Sequence, residues 1–361
     1  MEKDRTEMDD ENELIWNSRS EEEEADDLFR EEEDPEDEPP TLKEKQKDVK
    51  EKRMLQVRTQ EEWSEEVLRH LDLDTSRPLT AKLQTILDKI EKVGKATCYV
   101  RRKHNSKERV DFHETRKDDP SLTPEVRKNH EEKYQKARGD KGGSGTGFLV
   151  SPKHALYGWL VITNNHVIMN NEEAEDALVV FDYLRDNSSE GTKSFLVEKV
   201  VSKSIRTQSA DDKNTLDYSL LTLKCKDPSD RSFLSQHATV PFVETDLVQY
   251  ACEIGTPILA FSHPHGLSKR LSLGYFKGKI QPNPAQNICH EMPTTTGSSG
   301  ANLCIYDPTC SQRSEKEYWL SVFVHYRARH AVGWQAILVH LRNETKSDPG
   351  WKDVHRLPSN Q

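Results

Sequence analysis

No apolar run in this 361-residue sequence reaches the roughly 18 residues that a membrane-spanning helix needs, so no membrane contact is expected. The first thirty residues, opening MEKDRTEMDDENE, lack the basic-then-apolar order of a secretory leader. An intracellular setting, cytoplasmic or nuclear, is therefore expected. Cysteine is sparse. Cys98, Cys225, Cys252, Cys289, Cys304 and Cys310 lie scattered, and in a reducing compartment free thiols are expected rather than a disulfide framework. Cys304, Cys310 and His290 fit no zinc spacing, so no metal and no cofactor are expected. Apolar residues reach only 33% against 32% charged, which excludes one core filling the whole chain and leaves part of it solvated.

Charge is unevenly spread. Residues 1–40 hold 20 Asp/Glu against 4 Lys/Arg, whereas residues 41–361 hold 43 acidic and 48 basic side chains. The net charge of -11 thus belongs to the tail, and the body is mildly basic. Such a tail, ending DPEDEPP, reads as disordered; as a surface it would suit a basic protein partner. Nucleic acid is not expected as a partner. Basic runs such as Arg101-Arg102-Lys103 lack aromatic interleaving or any nucleic-acid motif.

The chain divides by texture. Residues 1–58 read as the acidic, largely disordered tail with a Lys/Glu-rich linker from Thr41 to about Arg58. Residues 59–94 read as helical: Trp63, Val67, Leu68 and Leu71 recur at helical spacing, as do Leu79, Leu83, Ile86, Leu87 and Ile90, ending near Gly94. Residues 95–345 carry short β-like runs, beginning with ATCYVR, then GTGFLV, WLVITN and YSLLTLK, each broken by Gly, Pro, Asn, Asp or Ser. Many short strands with few helices argue an all-β sandwich or barrel. Residues 103–140 interrupt them as a charged insertion without apolar period, expected as a long loop with some helix. Residues 346–361 form a C-terminal tail.

Serine-nucleophile chemistry needs a base beside the hydroxyl, an acid to orient the base, and N–H donors for the developing oxyanion. Thr296-Gly297-Ser298-Ser299-Gly300-Ala301 opens just before an apolar strand. Its glycines permit a tight turn that exposes one side chain and aims the Gly297 and Ser299 N–H groups at one oxygen. His166 ends the run LVITNNH, at the rim of a β core. Asp217 directly precedes the apolar strand SLLTLK. Taken singly, each is an ordinary turn or strand-end residue. Their chain order, with separations of 51 and 82 residues, is that of one known His-Asp-Ser triad.

The flanking segments carry a resemblance. GSGTGFLV followed by VITNNHVI resembles the strand pair leading to the catalytic histidine of trypsin-like peptidases, especially the Deg/HtrA type. LDYSLLTLK is similar to that family's D-x-A-L-L-x-L segment. FSHPHGLSKRLSLGYFKGKI is similar to its hairpin before the nucleophile, TTTGSSGANLCIYD to its T-x-x-G-S-S-G-S-P-V, and WLSVFVHYRARHAVGWQAILV to its last strand pair. Over residues 95–342 the resemblance implies two six-stranded β-barrels of the chymotrypsin type, all-β. It implies Ser299 as nucleophile, His166 as general base, Asp217 as orienting carboxylate, and Gly297 and Ser299 N–H groups as oxyanion hole. Val324, His325 and Tyr326 match the strand that pairs with a protein or peptide substrate. The implied activity is a serine endopeptidase working through an acyl-enzyme. The alternative is a catalytically silent protease-fold scaffold that binds proteins.

Departures shape the details. Ala301-Asn302 replaces the family's small residue and proline, which is expected to alter packing more than chemistry. Ser298 stands where secreted trypsins carry an aspartate that captures a new N-terminus, so activation by that route is not expected. Pro293, six residues before Ser299, offers no acid for an Arg/Lys pocket, whereas His325 would favour acidic or amide side chains. Arg327 falls where the family prefers glycine and would narrow the pocket or meet an acidic group. His263 and His265 flank a turn proline and read as structural. The C-terminal peptide-binding domain of Deg enzymes is not expected, because the chain ends about twenty residues past its last β-like run.

Overall fold

A computed structural model describes residues 40–73, 81–139, 142–154, 158–204, 216–241, 253–279, 288–306, 319–327, 330–333, 336–337 and 340–341. The readings of residues 1–39 and 346–361 as tails lie outside these residues, as do those on Cys252 and Cys310.

The first barrel is built from β2 (Thr97–Arg101), β3 (Ser144–His154), β4 (Gly158–Thr163), β5 (Leu178–Phe181), β6 (Lys193–Lys203) and β7 (Ser219–Lys224). They hydrogen-bond in the order β2-β5-β6-β7-β4-β3, and the β2–β3 pairing closes the ring. A short β8 (Val240–Pro241) adds to β3 in parallel. The second barrel comprises β9 (Pro257–Ser262), β10 (Arg270–Lys279), β11 (Ile288–Glu291), β12 (Asn302–Tyr306), β13 (Trp319–Arg327) and β14 (His330–Gly333). Its order is β10-β11-β14-β13-β12-β9, closed by the β9–β10 pairing. These are two closed six-stranded antiparallel barrels, the expected architecture.

Alternation explains why several strands read as unbroken apolar runs. In β4, Val161 points into the first barrel with Leu149, Phe181 and Leu221. Its neighbours Leu160 and Ile162 point outward, onto Val324 and Val332 of the second barrel. A strand buried on both faces has no polar side to show. In β9, Ile258 and Ala260 fill the second barrel with Phe276, Leu303 and Ile305. Leu259 and Phe261 face out and are covered by helices.

Those helices are α2 (Glu61–His70) and α3 (Ala81–Ala96). Trp63, Val67, Leu68, Ile86, Leu87 and Ile90 cover Leu259, Phe261, Leu271 and Cys304. Trp63 meets Phe261 edge-on, with ring centroids 6.3 Å apart. α3 ends near Gly94, as expected, though Gly94 is not itself the terminator. A Cβ there would sit 2.9 Å from the Phe261 ring, so the glycine serves close packing and the helix runs on to Ala96.

Two stretches are more ordered than their composition suggested. The charged linker after residue 40 folds as α1 (Leu42–Glu51), capped by Thr41 and Glu44, and as a short strand β1 (Leu55–Gln56) on the edge of β10. The insertion 103–140 is a helical hairpin, α4 (Lys107–Lys117) and α5 (Pro124–Arg138), with Ser106 and Thr123 as N-caps. Its inner face mixes a few buried apolar residues, Val126 and Ala137 among them, with polar and aromatic pairs: His113 Nδ1 lies 3.0 Å from His130 Nδ1, and Tyr134 donates to Glu114. A hairpin held by such pairs carries no apolar stripe to read.

Candidate active site

His166 lies in the turn after β4, and two asparagines fix that turn against the start of β7. Asn164 donates through Nδ2 to the Asp217 carbonyl at 2.6 Å, and Asn165 donates to Ser219 Oγ at 3.2 Å. Both side chains are buried. Asp217 then accepts twice from His166. Its Oδ1 takes the backbone N–H at 3.0 Å, and its Oδ2 lies 2.5 Å from Nδ1. A carboxylate facing Nδ1 assigns the proton to that nitrogen and leaves the Nε2 lone pair for another partner. Asp217 is 5% exposed, while the His166 side chain remains about a quarter exposed.

Ser299 sits in a turn that both barrels grip. From the first, the Thr146 N–H donates to the Ser299 carbonyl at 2.7 Å, and the Thr146 hydroxyl donates to the Gly297 carbonyl at 2.8 Å. From the second, the Gly300 N–H donates to the His325 carbonyl, and the His325 N–H donates to the Ala301 carbonyl. Gly300 has φ 89°, and a Cβ there would lie 1.9 Å from the Thr146 carbonyl oxygen. Only glycine fits. Thr163, three residues before His166, donates its hydroxyl to that same Thr146 carbonyl. The serine turn and the histidine turn thus meet across Thr146.

Ser299 Oγ makes no hydrogen bond with His166 among the described residues, so the structure joins His166 to Asp217 and brings Ser299 only to the adjoining turn. The Gly297 and Ser299 N–H groups have no acceptor among the described residues. Ser298 is buried, and its hydroxyl donates to Ser262 Oγ at the end of β9 and accepts from the Thr295 N–H, each at 3.3 Å. Ala301 belongs to the core of the second barrel, which accommodates the sequence departure at that position.

Val324, His325 and Tyr326 lie together in β13. His325 is 2% exposed, and its Nδ1 is 3.1 Å from His290 Nε2. Burial holds the His325 imidazole well below the usual histidine range, and the neighbouring His290, His166 and His330 add to this. The ring is neutral. The readings resting on the side chains of Tyr326 and Arg327 fall outside the described set. Cys304 packs in the apolar cluster beneath α2 and α3, where burial pushes its thiol up to about 12. Among the described residues no group of three or more His, Cys, Asp or Glu is arranged to hold a metal.

Sequence reasoning missed the charge cluster behind His166. Glu173, fully buried in α6 (Asn171–Ala174), accepts from Arg109 at 2.6 and 2.8 Å, from Ser106, and from the Met169 N–H. Arg102 donates to the Val167 carbonyl at 2.6 Å. Arg102 and Arg109 belong to the insertion or its approach, so the helical hairpin is anchored to the histidine turn. Thr146 was missed as well, since a threonine inside GSGTGFLV carries no signal of its own.

Two barrels closed on themselves, with a histidine-carboxylate pair and a glycine-flanked serine turn at their junction, define a trypsin-like architecture. Residues 145–307 match the family described as a trypsin-like peptidase domain. An uncharacterized protein of Sinorhizobium fredii, y4fB, is 27% identical over 224 residues, covering 57% of this chain and 32% of that protein. The chain thus spans about a third of that relative's length. Among solved structures it is similar to Deg5 (14% identity, TM-score 0.40, covering 72% of this chain and 94% of that one). It is also similar to the serine endoprotease from Yersinia pestis (14% identity, TM-score 0.40, covering 75% and 69%). No helix among the described residues is long and apolar enough to cross a membrane.

Proposed function

We propose that this domain is a serine endopeptidase in which Ser299 attacks the peptide carbonyl. His166 Nε2 takes the serine proton and later delivers it to the leaving amine. Asp217 holds the imidazole in the tautomer this requires and stabilises the imidazolium that forms. The Gly297 and Ser299 N–H groups receive the oxyanion. The reading rests above all on the double acceptance by Asp217 from His166, which leaves the Nε2 lone pair for another partner.

The substrate backbone would pair along Val324–Tyr326, with neutral His325 beside the first specificity pocket. A neutral imidazole can donate to an acidic or amide side chain, so such substrates suit the pocket. None of Cys98, Cys225, Cys289 and Cys304 is in a disulfide, which fits a reducing, intracellular compartment.

The alternative reading is a catalytically silent protease-fold scaffold that binds proteins. A fluorophosphonate probe separates the two. Wild-type protein should be labelled, and Ser299→Ala should abolish the label. Folded wild-type protein that never labels, and cleaves nothing in a diverse peptide library, sinks the enzyme reading.

A further inference from the structure

Helix α1 ends against the three residues that lead into Gly297. Its Asp48 Oδ2 lies 2.8 Å from His265 Nε2, and Thr295 Oγ1 lies 3.0 Å from that same nitrogen. Burial alone would raise the Asp48 carboxyl. The hydrogen bond from His265, the charge of Lys52 and the hydrogen bond from Thr295 outweigh it and hold the group below the usual carboxylate range. Lys52 at the helix end donates to the Thr294 carbonyl at 3.4 Å. The His265 backbone N–H donates to the Thr296 carbonyl at 2.5 Å. Thr294, Thr295 and Thr296 are therefore each tied to α1 or to the residue α1 grips.

The grip has its own foundation. Val49 and Met54 pack on Leu267, and Gln46 donates to Asp186 at 2.9 Å in the loop after β5. His265 itself has φ 50°, a left-handed conformation unusual for a residue with a side chain. Such strain persists where the surroundings over-determine it, often beside a working site. Here the ring and the backbone N–H are both committed to the same short segment. Within the turn Ser298 contributes neutral hydrogen bonds to Thr295, and α1 adds contacts from outside.

We infer that α1 is a built-in clamp on the oxyanion turn, with Asp48 and His265 as positioning residues that set the Gly297 and Ser299 N–H groups. The consequence for activity rests on the peptidase reading above; the consequence for the turn does not. In the full chain, Asp48→Ala should speed amide exchange at Ser298 and His265 about tenfold or more, while β3 and β4 stay protected. Asp48→Asn, nearly isosteric, should act in the same direction if the alanine variant melts. Under saturating fluorophosphonate, the first-order labelling rate of Ser299 should fall about tenfold with half-saturation unchanged, and Asp48→Glu should restore part of it. Unchanged exchange in both Asp48 variants overturns the clamp. Faster exchange in a protein that never labels upholds the clamp and sinks the peptidase reading instead.

Discussion

Asp217 holds His166 through two acceptor atoms, one on the ring and one on the backbone N–H, so it fixes both tautomer and ring plane. Asp217→Asn should keep the fold and lower kcat/KM by about 10⁴, because an amide no longer enforces the proton on Nδ1. A loss under tenfold on a cleaved peptide would mean that another group orients the base. At this scale the strand-end and turn placement of His166, Asp217 and Ser299 was legible because residue type and strand-turn surroundings can both be read locally. Thr146 was not. Its hydroxyl donates to Gly297 and accepts from the His263 N–H, contacts 151 and 117 residues away. Nothing in the local sequence announces such partners.

The elements that lie outside the barrels bear on the site as much as the strands do. The α4–α5 hairpin reaches the histidine turn through the buried Arg109–Glu173 pair. Burial would raise the Glu173 carboxyl, but hydrogen bonds and charge from Arg109, the charge of Arg102 and the Met169 N–H hold it at about 2, against an ordinary 4.5. Because the folded-state value is the lower one, this stabilisation is complete above 4.5 and is lost as pH falls toward 2. Glu173→Gln should therefore cost about 3 kcal/mol near neutral pH, since it strands two buried guanidinium groups. The gap from wild type should close as pH drops through that window, as followed by urea denaturation. An equal gap at pH 7 and pH 3 would refute this account. Composition alone made the insertion a loop with some helix, because helices tied by Arg–Glu and His–His pairs show no apolar period. Ser106 and Thr123, the latter followed by Pro124, cap these helices and are a local signal that the reading by composition did not use.

Across the whole molecule, the barrels meet through polar contacts as well as through Leu160, Ile162, Val324 and Val332. His263, fully buried at the start of the β9–β10 turn, stacks on Tyr183 and lies against Tyr99, both from the first barrel. Its Nδ1 donates to the Leu267 carbonyl at 3.1 Å. Burial, with the charges of Lys269 and Arg270, pushes the imidazole down to about 3 from an ordinary 6.5. The unfolded chain thus binds a proton that the folded chain refuses, and stability should fall as pH drops from about 6.5 to about 3. Denaturation midpoints measured across that range should show the slope in wild type and a shallower one in His263→Gln, whatever the variant's absolute stability. Identical slopes would count against a neutral junction histidine.

Local patterns in the sequence carried the many short strands, the two helices before them and the chain order of His166, Asp217 and Ser299, while the two-barrel arrangement came from the family resemblance. Apolar alternation, turn residues and glycine spacing act over a few neighbours, so they are written locally. It took the folded chain to show that Thr146 joins the two turns, that Glu173 anchors the insertion behind His166, and that Asp48 and His265 grip the residues before Gly297. Those contacts join segments tens to hundreds of residues apart. Closing such loops draws its free energy from the packed whole, and no local pattern can carry it.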